Sequence, residues 1–192
     1  MVKEDASLRN LEKKELLNKL ITLDSITDQE YLNMVMQEAL RFEAPVASAT
    51  PVITLKDCTI GKYNIKKGHS LVVNFHGLHF NTKHWQKPYE FHPERFDKNH
   101  PLSKAPDGSK RHVYAWAPFN GGKRVCFGKT FAEMTMKTVM TYITSSFNFE
   151  HVNEKYREKG GDKDTYPFAH FGITGKREPI LVKLTQYDGF QD

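Results

Sequence analysis

The segment FNGGKRVCFG, residues 119–128, concentrates residue types that can bind a metal or carry out chemistry. It holds Cys126, one of only two cysteines in the chain, together with three glycines, two basic residues and two phenylalanines. Glycine loses more conformational freedom on folding than any other residue, so ordering such a loop is unfavourable. A chemical role for the Cys126 sulfur would explain why the loop is built this way.

Three interpretations of this loop need no cofactor. A phosphate-binding loop is disfavoured, because the GKT at 128–130 would need a glycine at position 123, which is Lys123. A buried and inert side chain is the usual state of a free cysteine. A catalytic thiol would not require the glycines, and it would have to pair with one of three histidines: His76, His79 or His84.

A fourth interpretation, ligation of haem iron, accounts for the whole loop. Cys126 precedes a predicted helix, whose positive end favours the thiolate, and a thiolate is a strong ligand for iron. Gly122 and Gly128 let the backbone approach a flat macrocycle. Phe119 can shield the sulfur from water, and Arg124 can pair with a carboxylate such as a haem propionate.

Helices are predicted over residues 6–23, 28–42 and 127–146, where apolar residues recur at helical spacing. Thr27 is the predicted cap of the second helix, with Glu30 reaching back to complete a capping box. In the third helix the residues predicted to face inward are Phe131, Met134, Thr138, Thr141 and Tyr142.

The hydrophobic period changes to two over residues 50–76, which predicts short strands joined at Gly61 and at Lys67–Gly68. Residues 77–118 contain five prolines and are predicted to be irregular. The tail alternates again over 147–152 and 180–186, and the polar segment 153–167 between them is predicted to be an exposed loop. One face of the first sheet is predicted to carry Leu71, Val73 and Phe75. This order of elements indicates an α+β fold, mostly helical.

Length, charge and cysteine content restrict the classes of function that the chain can have. A length of 192 residues is typical of one domain, and the net charge of +5 is spread along the chain, which gives no support for nucleic-acid binding. The two cysteines form no CxxC pair, which disfavours a zinc finger. No apolar run is long enough for a membrane span, and the N-terminus is not a signal peptide.

The pattern Phe119-x-x-Gly122-x-Arg124-x-Cys126-x-Gly128 resembles the cysteine-ligand loop of the cytochrome P450 family. Two further motifs of that family occur in the same order. EALR supplies Glu38 and Arg41, three positions apart on one helix face, and HPERF supplies Arg95. In the family these three residues form a buried ion network that braces the cysteine loop. His79 and Trp85 also match residues usual in the family, and the resemblance covers about residues 27–185.

The resemblance implies that the chain, residues 1–192, is a single haem-binding C-terminal portion of the P450 fold. This portion comprises the Glu-x-x-Arg helix, small β-sheets, an irregular meander, the cysteine-ligand loop and the long helix after it. Cys126 would be the axial ligand of haem b iron, with Phe119, Gly122, Arg124 and Gly128 around the cofactor. The family activates dioxygen and inserts oxygen into a small organic substrate, with electrons from a flavin or iron-sulfur partner. Lys123 and Lys129 are candidates for docking that partner.

Two features depart from the family pattern. Val52 stands where members often carry an arginine that contacts a propionate. The central helix with its acid–threonine pair has no counterpart, so no catalytic residue is named, and we expect weak or absent haem retention by the isolated chain. Glu38, Arg41 and Arg95 are expected to pack against helices outside this chain. Membrane association is expected only through an additional N-terminal segment, at an intracellular endoplasmic reticulum or mitochondrial surface. The alternative function is a truncated, inactive relative acting as a structural or interaction subunit.

Overall fold

The computed structural model describes residues 15, 19, 21–152, 168–171, 173–176 and 181–186. Its α-helices within residues 21–152 are α1 (Leu23–Thr27), α2 (Glu30–Phe42), α3 (Phe75–His79) and α4 (Lys129–Ser146). Glu15 and Lys19 are also helical, but the other residues of 6–20 in the first predicted helix lie outside the described part. None of the helices described is long and apolar enough to cross a membrane.

The predicted cap of the second helix is wrong. Thr27 is the last residue of α1, and its hydroxyl donates back to the Leu23 carbonyl oxygen instead of capping α2. The capping box belongs to α1, where the Thr22 hydroxyl accepts from the Ser25 amide and the Ser25 hydroxyl accepts from the Thr22 amide. Helix α2 therefore begins at Glu30, two residues later than predicted.

The strands within the described residues form four separate two-stranded antiparallel sheets. Strand β1 (Val52–Ile53) pairs with β4 (Ser70–Leu71), and β2 (Cys58–Ile60) pairs with β3 (Tyr63–Ile65). The predicted turns are confirmed, since Gly61 and Gly68 adopt φ of +58° and +86°, values that glycine accepts without strain.

The remaining sheets lie in the tail, where the described residues are discontinuous. Strand β5 (Phe147–His151) pairs with β8 (Val182–Gln186), which confirms the two predicted alternating segments. Strand β6 (Phe168–Phe171) pairs with β7 (Ile173–Lys176). The predicted polar loop over 153–167 lies outside the described residues.

The predicted shared face of Leu71, Val73 and Phe75 is wrong. Strand β4 ends at Leu71, Val73 is half exposed, and Phe75 begins α3 as a buried core residue. The Asn74 side chain accepts from the Gly77 amide and caps α3, so the chain leaves the sheet before the alternation can continue.

Helix α4 begins at Lys129 rather than Phe127, and only part of its predicted inward face is buried. Thr141 is buried and its hydroxyl donates to Gln29 Oε1 at 3.2 Å, which ties α4 to the start of α2. Phe131, by contrast, is 77% exposed, so its predicted inward orientation is wrong. Tyr142 is also exposed. The apolar side of α4 is therefore only partly covered within the described residues.

The core lies between α2, α3 and the irregular segment over 80–118. That segment contains short 3₁₀ turns at Pro93–Phe96, Pro101–Ser103 and Val113–Ala115. Aromatic rings fill the space between these elements. The ring centroids of Phe42 and Phe80 lie 5.7 Å apart, and those of the stacked Phe80 and Tyr89 rings lie 5.5 Å apart. The buried apolar residues are Ile26, Met36, Leu40, Phe42, Ala44, Phe75, Phe80, Trp85, Ala105, Ala115 and Ala117.

Candidate functional site

Cys126 stands exposed on a loop between the meander and α4, as a free thiol. Its amide donates to the Phe119 carbonyl oxygen at 2.8 Å, which closes the loop. Its own carbonyl oxygen accepts from the Lys129 amide at 3.3 Å, which joins the loop to the first residue of α4. The alternative of a buried, inert Cys126 is therefore wrong.

The loop turns on residues with positive φ. Gly122 has φ of +61° and opens the 3₁₀ turn Gly122–Arg124, while Asn120 has φ of +64°. The Val125 amide donates to the Gly122 carbonyl oxygen at 3.3 Å and closes that turn. Gly128 has an ordinary φ of −82°, and a Cβ added there would lie 3.8 Å from Cys126 Sγ. The two motif glycines therefore differ, because Gly122 has a positive φ, whereas at Gly128 the φ is ordinary and an added Cβ would only contact the sulfur.

Apolar side chains are exposed on both sides of the sulfur in sequence. Val125 and Phe127 flank Cys126 and are both exposed, and Phe131 is exposed in the first turn of α4. Exposed apolar side chains next to a free thiol suit a flat apolar macrocycle better than they suit water. Phe119 is half-buried and Arg124 is exposed.

The donor set is consistent with haem rather than with a metal held by protein alone. Within the described part of the chain, no three histidine, cysteine, aspartate or glutamate side chains come close enough to hold a metal ion. Haem needs only one strong protein ligand on the proximal side of its iron. The exposed thiol at Cys126 can supply it, so the residues present fit the group.

Glu38, Arg41 and Arg95 meet in one buried network. Arg41 binds Glu38 bidentately, with Nε to Oε2 at 2.7 Å and Nη2 to Oε1 at 2.8 Å. Arg95 Nε adds a bond to Oε1 at 2.9 Å, and the His92 amide adds another at 2.8 Å. Two guanidinium groups thus share one carboxylate, and burial lowers the pKa of Arg95 while Glu38 opposes that shift.

Backbone carbonyl groups accept further hydrogen bonds from both guanidinium groups. Arg41 donates to the His79 and Pro88 carbonyl oxygens at 3.0 and 2.8 Å, and both arginines donate to the Glu90 carbonyl oxygen. Arg95 also donates to the carbonyl oxygens of Gln86 and Lys87.

The three side chains of this network are almost inaccessible, with exposures of 0%, 0% and 1% for Glu38, Arg41 and Arg95. We expected them to pack against helices outside this chain, and that expectation is wrong. The meander of this chain encloses the network by itself.

Sequence reasoning missed a third arginine beside this network. The Arg111 guanidinium carbon lies 3.9 Å from the Trp85 ring centroid, and Nη2 donates to the carbonyl oxygens of Arg95 and Leu102. Arg41 lies 5.2 Å from the same ring. Burial and the neighbouring Arg95 lower the pKa of Arg111 to about 10. No periodicity or spacing in the meander distinguishes Arg111 from a solvent-exposed arginine.

His79 is fully buried and does not serve as a base for the thiol. Its Nε2 accepts from the Ala117 amide at 3.0 Å, so that nitrogen is already engaged. Burial and the charge of Arg41 lower its pKa from 6.5 to about 4. The position of His79 therefore argues against a role as the histidine of a Cys126-based hydrolase.

Comparison with known proteins agrees with this geometry. The family model for cytochrome P450 matches residues 9–167. Cytochrome P450 3A11 of Mus musculus is 32% identical over 167 residues, which are 87% of this chain and 30% of the mouse protein. Cytochrome P450 3A18 of Rattus norvegicus is 35% identical over 184 residues, which are 94% of this chain and 34% of the rat protein. The chain thus spans about a third of the length of these relatives.

Solved structures show the same fold. The retinoic acid-bound cyanobacterial CYP120A1 superposes with a TM-score of 0.74 at 24% identity, covering 97% of this chain and 40% of that one. The cytochrome P450DA haem domain gives a TM-score of 0.71 at 23% identity, covering 87% and 33%. With its α+β fold, its buried Glu-x-x-Arg network and its exposed cysteine loop, this chain belongs to the cytochrome P450 family, whose cofactor is haem b.

Proposed function

We propose that this chain provides the cysteine side of a haem-thiolate monooxygenase, with Cys126 as the axial ligand of haem iron. The observation that carries the proposal is an exposed free thiol in a hydrogen-bonded loop, next to the start of an 18-residue helix. When bound, haem supplies the chemistry that activates dioxygen and inserts oxygen into an organic substrate, and electron donation from a thiolate ligand favours O–O cleavage.

The residues around Cys126 have separate tasks in this proposal. The bond from the Cys126 amide to Phe119 fixes the loop, and the positive end of α4 stabilises negative charge near the sulfur. Gly128 leaves room beside the sulfur for the macrocycle. Arg124 is exposed and free to turn toward a propionate, where its planar fork suits a carboxylate.

An electron-transfer partner with an acidic surface fits the charges near the loop. Lys123 and Arg124 are exposed on the 3₁₀ turn, whereas Lys129 lies 3.9 Å from Glu133 and is partly neutralised. Complementary charge chiefly raises the rate of encounter, and salt screens it. Lys123 is therefore the better docking candidate of the two lysines, for either a flavin or an iron-sulfur protein.

The test is haem titration of the purified full chain, with haem in excess because we expect weak retention. Reduced and exposed to carbon monoxide, the wild-type chain should give the red-shifted absorption band of thiolate-ligated haem. Cys126→Ser should lose that band, and Cys58→Ser should keep it as the matched control. A thiolate band that survives in Cys126→Ser, or a wild-type chain that binds the added haem without giving that band, contradicts the proposal.

A non-enzymatic interaction subunit is the second candidate. It is supported by the ion network, because the chain's own residues enclose Glu38, Arg41 and Arg95 without help from a cofactor. A core that is closed by the chain's own side chains suits a protein that acts as a binding partner in a larger assembly. The haem and iron content of protein isolated from its source distinguishes the two candidates, since the subunit would carry neither.

A further inference from the structure

One buried residue, His79, touches both the ion network and the segment that leads into the cysteine loop. Its carbonyl oxygen accepts from Arg41 Nη1 at 3.0 Å. Its ring Nε2 accepts from the Ala117 amide at 3.0 Å, across 38 positions of sequence. His79 has no exposed surface and Ala117 is buried, so water does not compete for either bond.

The chain continues from Ala117 to the sulfur through further backbone bonds. The Ala117 carbonyl oxygen accepts from the Asn120 amide at 3.0 Å, and the Phe119 carbonyl oxygen accepts from the Cys126 amide at 2.8 Å. Pro118 follows Ala117, and a residue before proline is restricted to extended conformations. A hydrogen bond that holds the Ala117 amide in place therefore also restricts the position of the residues that begin the loop.

The hydrogen bond specifies the state of the ring. Because the Ala117 amide is the donor, Nε2 must carry the lone pair and Nδ1 the proton of a neutral imidazole. Within the parts of the chain described here, Nδ1 has no hydrogen-bond partner. The titratable groups that face the ring are Arg41 of α2 and His76 of α3, and burial favours the neutral form. A protonated ring would carry a proton on Nε2, which would face the N–H donor of the Ala117 amide. It would also place a second positive charge beside Arg41.

We propose that His79 is a positioning residue for the haem ligand. Its neutral Nε2 acceptor holds the Ala117 amide and so sets the path of residues 117–126, on which the Cys126 sulfur is carried. The inference rests on the proposed function only for the meaning of Cys126 as the iron ligand. The hydrogen bond itself needs no haem, and it can be tested without it.

Two variants separate a positioning role from simple filling of the core. His79→Gln keeps an acceptor, because Gln Oε1 reaches about as far along the side chain as His Nε2. His79→Leu fills similar space without an acceptor. His69→Gln is the matched control, because His69 is an exposed histidine of the β3–β4 turn.

The measurement is hydrogen exchange of single amides by NMR on the full chain at neutral pH, without haem. His79→Leu should speed exchange at Ala117 and Cys126 by about tenfold, while the amide of Glu43, which caps the C-terminal end of α2, stays unchanged. His79→Gln and His69→Gln should exchange like the wild type at these positions. Equal protection of Ala117 in His79→Leu overturns the proposal, and so does a His79→Gln variant as impaired as His79→Leu.

A second measurement covers the case in which His79→Leu does not fold. Nitrogen-15 shifts of the wild-type ring should identify a bare Nε2 and a protonated Nδ1 at neutral pH. A proton on Nε2 overturns the proposal, because the Ala117 amide would then have no acceptor there. Neither readout involves haem, so a failed haem titration at Cys126 leaves this result standing, and the reverse also holds.

Discussion

Glu38 Oε1 and Arg95 Nε lie 2.9 Å apart, although 57 positions separate the two residues in the chain. Their contact fastens the meander to α2, and Arg41 completes the site from one turn further along the same helix. A buried carboxylate shared by two guanidinium groups is stable only while all its partners are present. Single substitutions in this network should therefore have large effects.

Glu38→Ala should destabilise the chain by about 3–5 kcal/mol, because it leaves two guanidinium groups buried without their carboxylate. Urea denaturation followed by circular dichroism measures the free energy of unfolding. Asp57→Ala is the matched control, since the Asp57–Lys66 pair is solvent-exposed and its loss should change the free energy of unfolding little. Equal losses of unfolding free energy in the two variants would show that burial of the network does not add to the stability of the chain.

Arg111→Lys should lower the free energy of unfolding by about 1–2 kcal/mol, although it keeps the charge. A lysine ammonium cannot lie flat on the Trp85 ring, nor can it reproduce the Nη2 bonds to the Arg95 and Leu102 carbonyl oxygens. Arg124→Lys provides the comparison at an exposed arginine and should leave the melting temperature unchanged. A stable Arg111→Lys variant would contradict the stacking argument.

The two motif glycines should respond differently to alanine. Gly122→Ala should cost about 1 kcal/mol of stability, because φ of +61° strains any residue with a Cβ, although no heavy atom lies within 4 Å. Gly128→Ala should leave thermal stability unchanged, since its φ is ordinary and its nearest contact is Cys126 Sγ at 3.8 Å. It should instead weaken haem uptake. Thermal melts without haem, followed by haem titration, test both expectations, which would be wrong if the two variants behaved alike.

The stability of the chain should depend on pH through His79. Its pKa is about 4 in the folded chain against an ordinary 6.5, so between these values the unfolded chain binds more protons. The contribution of His79 to the free energy of unfolding is therefore fully present above pH 6.5. It is lost as the pH falls toward 4, by about 3 kcal/mol in total. His79→Gln lacks a titrating ring, so its stability curve should be flatter in this window. Parallel curves for the two proteins would refute the assignment.

Local spacing was sufficient to predict the parts of the site that lie close together in sequence. Glu38 and Arg41 are three positions apart on an amphipathic helix, so their pairing follows from helical geometry. The loop motif around Cys126, the helix after it and the turns at Gly61 and Gly68 also follow from residue type and local pattern.

The tertiary structure decided everything that depends on residues far apart in the chain. The position of Arg111 on Trp85 and the bond from Ala117 to His79 arise in a proline-rich meander without a hydrophobic period, so no local signal predicts them. Phe131 has helical spacing yet is exposed, because a repeat locates an apolar face without showing what covers it. Secondary structure follows local patterns, whereas burial depends on which distant segments meet.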